Sequence, residues 1–298
     1  MTSIDPGSPR PVATPDVERR PFAFDPERPQ DRWRVALGQR LLVDGCLRAG
    51  SHLPGWASDR MGNALSRAWA HSVARAVDMT IDASGIEHID PASQYLVAPL
   101  HESFVDVPVL LHLPVDLRFT VREELFDHDR IGPLLRASGQ IAVPEQPGVS
   151  SLRTLMNHAA DSVASGESLV VFPQGSVLGV EAAFSDGLVV LSRRLGLPIL
   201  PIVLTGTHRV WGHPFDNVVR IHQTVRMDVL DPVPSESVDA SSFRRLEQRM
   251  KERAHGSHRS PVRRFDPLRD GRWEGYEYEN DPDFTELAAA VAPHRLHR

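Results

Sequence analysis

His101 and Asp106, five positions apart in Leu100-His-Glu-Ser-Phe-Val-Asp106, are a residue pair able to do acid–base chemistry. An imidazole changes charge near neutral pH, so it can take a proton from one group and return it to another. A carboxylate that holds the ring through Nδ1–H leaves Nε2 as the base. The spacing also permits a purely structural use. Ser103-x-x-Asp106 has the form of a capping box, which would start a helix with no catalysis at all. The residues alone leave both uses open.

The elements that must position the pair follow from hydrophobic patterning. Short apolar runs at Tyr95–Ala98, Arg118–Val121, Gln140–Val143, Leu169–Phe172, Ile199–Leu204 and Arg226–Val229 read as strands. Helical stretches are expected between them, at Val107–Leu113, Gly132–Ala137, Ser150–Ala164 and Gly187–Leu195. This alternation predicts an α/β fold, with a mixed, largely buried sheet flanked by helices. The strand ending at Pro99 and a helix starting near Ser103 would place His101 in a strand-to-helix turn, where ligands gather in open α/β sheets. A helix N-terminus there would disfavour a positive charge on the ring.

Two amphipathic helices are expected ahead of the sheet. One runs from about Asp31 to Arg48 through Trp33, Leu37 and Leu41. The other runs from about Asp59 to Val77 through Leu65, Trp69, Val73 and Val77. They suit core cladding better than an interfacial membrane contact, although both fit. The expected divisions are a disordered leader over 1–30, a helical segment over 31–78, an α/β domain over 79–234 and a C-terminal helix and tail over 235–298. Within the last, Ser242–Ala254 reads as a helix, and Arg244–Arg264 carries eight Lys and Arg residues. Such a run is more often a solvated face than an anion site.

Composition narrows the function classes. The chain has 298 residues, 41% hydrophobic and 24% charged, enough for a substantial core. A net charge of −6 argues against a nucleic-acid partner. The single cysteine, Cys46, allows no internal disulfide and suits the cytoplasm. The apolar runs are too short or too broken for a transmembrane helix, so any lipid contact is expected at the surface. No metal is expected: His208 and His213 flank Trp211 in an irregular context and assemble nothing. Ser103 and Ser176 are hydroxyl candidates, but neither lies in a Gly-x-Ser-x-Gly elbow.

Further blocks follow in order: Phe119-Thr-Val-Arg-Glu-Glu-Leu-Phe126, Gly139-Gln-Ile-Ala-Val143, Val171-Phe-Pro-Gln-Gly-Ser176, Phe184-Ser-Asp-Gly187 and Leu197-Pro-Ile-Leu-Pro-Ile-Val203. With His101 and Asp106 they make the chain, from about Asp82 to Thr207, resemble the glycerolipid acyltransferase family. The family hallmarks are Asn-His-x4-Asp, Phe-Pro-Glu-Gly-Thr-Arg and a Pro-Ile-x-Pro strand. The resemblance implies that His101 removes a proton from an acceptor hydroxyl while Asp106 orients the ring. It places Ser103, Arg122, Phe172, Pro173, Gln174, Gly175 and Ser176 at the substrates. It implies acyl-CoA or acyl carrier protein as co-substrate, no bound cofactor, a lipid acceptor, a peripheral membrane contact and a place at the inner face of the membrane. Apolar residues near Val107–Leu113 and Phe184–Val190 are candidates to line an acyl tunnel.

The departures bear on the acceptor. Leu100 stands for Asn, Gln174 for the acid, Ser176 for Thr, Val177 for Arg, and Glu145 for a second Arg. Arg122 stands in the block that normally carries Lys. In the family those arginines and the acid are associated with a glycerophosphate acceptor. Neither Val nor Glu can replace a guanidinium fork on a phosphate. Acylation of a lysophospholipid is therefore the expectation. The alternatives are a non-phosphorylated acceptor, or a catalytically reduced lipid-binding protein on the same fold.

Overall fold

Alternating short apolar runs and amphipathic stretches fold as one sheet clad on both faces in the computed structural model. The structure describes residues 23–24, 37, 59–127, 132–143, 149–175, 183–211 and 218–257. The strands are β1 (Ala23–Phe24), β2 (Thr80–Ser84), β3 (Leu96–Pro99), β4 (Leu117–Arg122), β5 (Ile141–Val143), β6 (Ser168–Val170), β7 (Ile199–Thr205), β8 (Val218–Val219) and β9 (Thr224–Val229). The helices are α1 (Asp59–Ala76), α2 (Asp106–Leu110), α3 (Gly132–Ala137), α4 (Val149–Ala164), α5 (Gly187–Leu195), α6 (Thr207–Val210) and α7 (Ala240–Ser257). Seven strands form the main sheet in the order β2-β9-β7-β3-β6-β4-β5, and β1 pairs separately with β8. From β7 through β3, β6 and β4 to β5 every pairing is parallel. The sheet is mixed because β9 turns back antiparallel on β7 and carries β2 parallel to itself.

Burial on both faces explains why the central runs lack strict alternation. Successive residues of β3 enter different cores. Val97 packs with Val170, Leu200, Ile202 and the residues of α1 and α2, whereas Leu96 and Ala98 pack with Leu169, Ile199, Val203 and the residues of α4, α5 and α7. Every residue of β3 and β7 is buried. β2 has no such apolar run. It is an edge strand with mostly exposed residues, and hydrophobic patterning does not reveal it.

The expected helix from Asp31 to Arg48 lies outside the described residues except for Leu37, which is helical and exposed. The next expected helix is α1, with one difference in its buried face. Ala70, Val73, Ala74 and Val77 are buried, while Leu65 is 43% exposed. Polar side chains help to seat this end of the helix. Arg67 donates to the carbonyls of Leu113 and Val115, both at 2.7 Å, and pairs with Asp116 at 3.0 Å.

Two buried ion pairs tie the layers together. Arg118 on β4 grips Glu167, just ahead of β6, through Nε at 2.8 Å and Nη2 at 2.6 Å, and it donates to the Ser138 carbonyl. Asn63 of α1 adds a bond to the same carboxylate at 3.3 Å. Gly139 beside it has φ +65°, a left-handed conformation that favours glycine, and a Cβ there would press on the Arg118 guanidinium. On the other face, Lys251 of α7 is fully buried against Glu247 at 2.8 Å. Arg244 also pairs with Glu247, and Arg253 pairs with Asp228 on β9. Lys251 thus departs from the expected solvated face, whereas Arg244 and Arg253 keep part of their side chains in solvent.

Removing one partner of a buried pair leaves the other charge uncompensated, at a cost of about 3–5 kcal/mol. Glu167→Ala is expected to destabilise the fold by about that amount in urea unfolding. The double variant Arg118→Met with Glu167→Leu is expected to recover part of it. A loss below about 1 kcal/mol in the single variant would show that the pair is solvated like an ordinary surface bridge.

Candidate active site

The carboxyl ends of β7, β3 and β6 lie side by side, and the loops leaving them build one site. The β3 ladder continues past the strand, with Leu100 N–H donating to the Ile202 carbonyl at 3.0 Å. His101 follows directly. Its Nδ1 lies 2.7 Å from Asp106 Oδ2, and the two side chains are 17% and 0% exposed. An ionised carboxylate can only accept, so this contact selects the ring forms with hydrogen on Nδ1, of which the neutral one has its lone pair on Nε2. The ring stacks on Phe172 from the loop after β6, with centroids 3.8 Å apart and planes inclined by 23°.

Asp106 is the hub of these loops. Besides the imidazole, its Oδ2 accepts the backbone N–H groups of Glu102 at 2.6 Å and Ser103 at 3.1 Å. Its Oδ1 accepts the Thr207 hydroxyl at 2.5 Å. Glu102 is buried too, and its Oε2 accepts Gly206 N–H at 2.9 Å. The expectation of a helix starting near Ser103 is corrected here. The helix begins at Asp106 and ends at Leu110, and the capping-box contacts are made in the turn ahead of it: Asp106 Oδ2 accepts Ser103 N–H, and Ser103 Oγ accepts Val105 N–H. So short a helix has little macrodipole, and its contribution to the site is positional.

The other expected site residues divide. Ser103 is fully buried, accepts Val105 N–H at 2.9 Å and lies 3.5 Å from the Thr207 carbonyl. Its hydroxyl holds the loop. Phe172 reaches the imidazole, and Pro173 and Gln174 are buried directly beyond it. Gly175 is exposed at φ +64°, with no atom within 4 Å of where a Cβ would sit. The left-handed turn explains the glycine, and among the described residues nothing would meet a side chain there. Arg122 ends β4 on the same sheet edge and pairs with Glu124. Ser176, Val177, Glu145 and His213 lie outside the described residues.

The two candidate tunnel segments do not share a lining. Leu110 and Leu113 belong to the core on one face of the sheet, and Phe184 and Leu188 to the core on the other. The second segment nevertheless braces the site. Glu247 accepts Phe184 N–H at 2.7 Å, and Ser185 N–H donates to the Pro173 carbonyl at 2.8 Å, next to Phe172. Among the described residues no group of three or more His, Cys, Asp or Glu is placed to hold a metal ion. None of the described helices is long and apolar enough to cross a membrane.

A family model described as Acyltransferase matches residues 80–205, which run from the first residue of β2 to the last of β7. Over these residues the chain is similar to acyltransferases, several of them named for lysophosphatidate. A Brassica napus relative, the chloroplastic 1-acyl-sn-glycerol-3-phosphate acyltransferase BAT2, is 24% identical over 178 residues, covering 59% of this chain and 51% of its own. The lyso-ornithine lipid O-acyltransferase of Pseudomonas aeruginosa is 24% identical over 230 residues, 72% of this chain and 86% of its own. The chain thus spans about half the length of BAT2 and most of the bacterial enzyme. The crystal structure of the 1-acyl-sn-glycerophosphate acyltransferase PlsC from Thermotoga maritima superposes with a TM-score of 0.59 at 16% identity, over 76% of this chain and 94% of that one. At that identity the likeness shows the fold. His101 and Asp106 fall inside the matched segment, whereas Thr207 and α7 follow it.

Sequence reasoning missed Glu102 and Thr207. Glu102 adjoins His101, and Gly206-Thr207 directly follows a predicted strand, so both stood where loops were expected to meet. Their joint contact is set by the β3–β7 pairing, which local patterning does not contain.

Asp106→Ala is expected to leave the Glu102 and Ser103 amides without their acceptor, at about 1–3 kcal/mol each. Hydrogen exchange at those two amides is the measurement, and faster exchange is expected at both. Unchanged protection would mean that the loop is held by other contacts.

Proposed function

We propose that the chain is an acyltransferase in which His101 is the general base and Asp106 its orienter. The observation that carries this reading is the 2.7 Å contact between the ring and a fully buried carboxylate, with part of the imidazole left exposed, inside an acyltransferase-matched segment. His101 Nε2 takes the proton from an acceptor hydroxyl as that oxygen attacks the carbonyl carbon of an acyl thioester. The carbonyl π electrons move to oxygen. They return as the carbon–sulfur bond breaks, and the imidazolium gives its proton to the departing thiolate. The products are an ester and a free thiol. Asp106 stabilises the transient imidazolium, and no metal or enzyme-bound acyl group is needed. The donor is a coenzyme A or acyl-carrier-protein thioester, and the enzyme works at a membrane surface.

One set of observations favours a lipid acceptor that is not held by its phosphate. Val177, Glu145 and Gln174 occupy positions where the resembled family carries arginines and an acid. Gln keeps hydrogen-bonding capacity without charge, which fits a neutral polar headgroup better than a dianion. The bacterial relative that aligns over most of its length is named for an amino-acid lipid acceptor. The lysolipid hydroxyl remains the attacking group in either case.

The test is product analysis by mass spectrometry after incubation with an acyl-CoA and a panel of lysophosphatidate, lyso-ornithine lipid and simple diols. Ester should form in step with thiol release, and the phosphate-free lysolipid should exceed lysophosphatidate by about 10-fold in kcat/KM. Val177→Arg with Glu145→Arg should narrow that gap. Free fatty acid without any acceptor dependence would indicate a hydrolase. No thiol release with any acceptor would indicate a lipid-binding protein that keeps the fold.

A further inference from the structure

We propose that Thr207 is a positioning residue for His101, acting through Asp106. This rests on the reading of His101 as the base. Thr207 is fully buried on the loop after β7, so it touches no substrate. Its hydroxyl lies 2.5 Å from Asp106 Oδ1 and 3.4 Å from Glu102 Oε2. A hydroxyl has one proton to donate, and the shorter contact assigns it to Asp106.

The geometry gives that bond a specific effect. Asp106 Oδ2 is crowded by His101 Nδ1 and the 102 and 103 amides, all supplied by its own loop. Rotation about Cβ–Cγ would break all three contacts, and among the described residues the donor that fixes Oδ1 against it is Thr207. Threonine suits this use because β-branching narrows χ1. The hydroxyl is not consumed in starting α6, which has Gly206 at its cap and no side-chain cap bond.

The support behind Thr207 is equally defined. Glu102 Oε2 takes Gly206 N–H, and the Ser103 hydroxyl lies 3.5 Å from the Thr207 carbonyl. The loops after β3 and β7 are thereby joined at backbone and side chain, directly beyond the Pro99–Ile202 register pair. A base must stay within about an ångström of its productive position, and displacements of that size cost about 10²-fold in rate.

The experiment compares wild type, Thr207→Val and Thr207→Ser in the full chain. Steady-state acyl transfer should show kcat lower by about 10-fold to 100-fold in the Val variant with KM little changed, and largely restored in the Ser variant. A second readout needs no turnover. The low-field Nδ1–H resonance of His101, assigned by its loss in His101→Ala, should move upfield and exchange faster in Thr207→Val, and return in Thr207→Ser. An unmoved resonance, or an equal loss in the Val and Ser variants, would overturn the proposal. If the Val variant does not fold, wild type still decides. A slowly exchanging Thr207 hydroxyl proton with a cross-peak to its own methyl is expected, and its absence would overturn the proposal. If wild type transfers no acyl group to any acceptor, the acyltransferase reading fails while the resonance still reports on Thr207.

Discussion

A carboxylate removed completely from water must be met by donors on every side, and Asp106 imposes that requirement on this fold. An isolated buried charge is too costly to keep, so the surrounding backbone has to be arranged for it. The 101–106 loop supplies three donors by doubling back over the side chain, and the helix that follows starts at Asp106 itself. The fourth donor comes from Thr207, 101 residues further along the chain. Satisfying the carboxylate therefore orders two loops from neighbouring strands and sets the imidazole in the same step.

The sheet makes this possible. Parallel β7, β3 and β6 open their carboxyl ends on one edge, so the loop bearing His101 stands between the loop bearing Thr207 and the loop bearing Phe172. Each neighbour constrains the ring differently. Thr207 acts through a hydrogen-bonded carboxylate, and Phe172 through an aromatic face. The Phe172 loop is braced from behind through Pro173, Ser185 and Phe184 to Glu247 on α7. Glu247 is anchored by a lysine with no exposure at all. The C-terminal helix, beyond the acyltransferase-matched segment, thus takes part in holding the site.

Much of this was legible in the residues because it is local. Central strands announce themselves as apolar runs bounded by Pro and Gly, and α3 and α5 have the bounds their patterning predicts, Gly132–Ala137 and Gly187–Leu195. His101 and Asp106 were legible through spacing, and their setting through the order of the surrounding blocks. What escaped was non-local or exposed. β2 carries no apolar signal because it lies at an edge. Leu65 keeps helical spacing with Trp69 but is exposed, and near it α1 is held by the polar contacts of Arg67. The burial of Ser103 was not legible either, since residue type does not reveal which way a hydroxyl faces. The two apolar segments taken for one tunnel fall on opposite sheet faces, a distinction fixed by topology rather than hydrophobicity.

The most direct measurement is the rate of acyl transfer by His101→Ala against wild type, at matched secondary structure and with a thioester donor and lysolipid acceptor that wild type uses. General-base catalysis at His101 predicts a loss of about 10²- to 10⁴-fold with the fold retained. Transfer by the variant within about 3-fold of wild type would contradict it, since removal of the base would then have left the chemical step untouched.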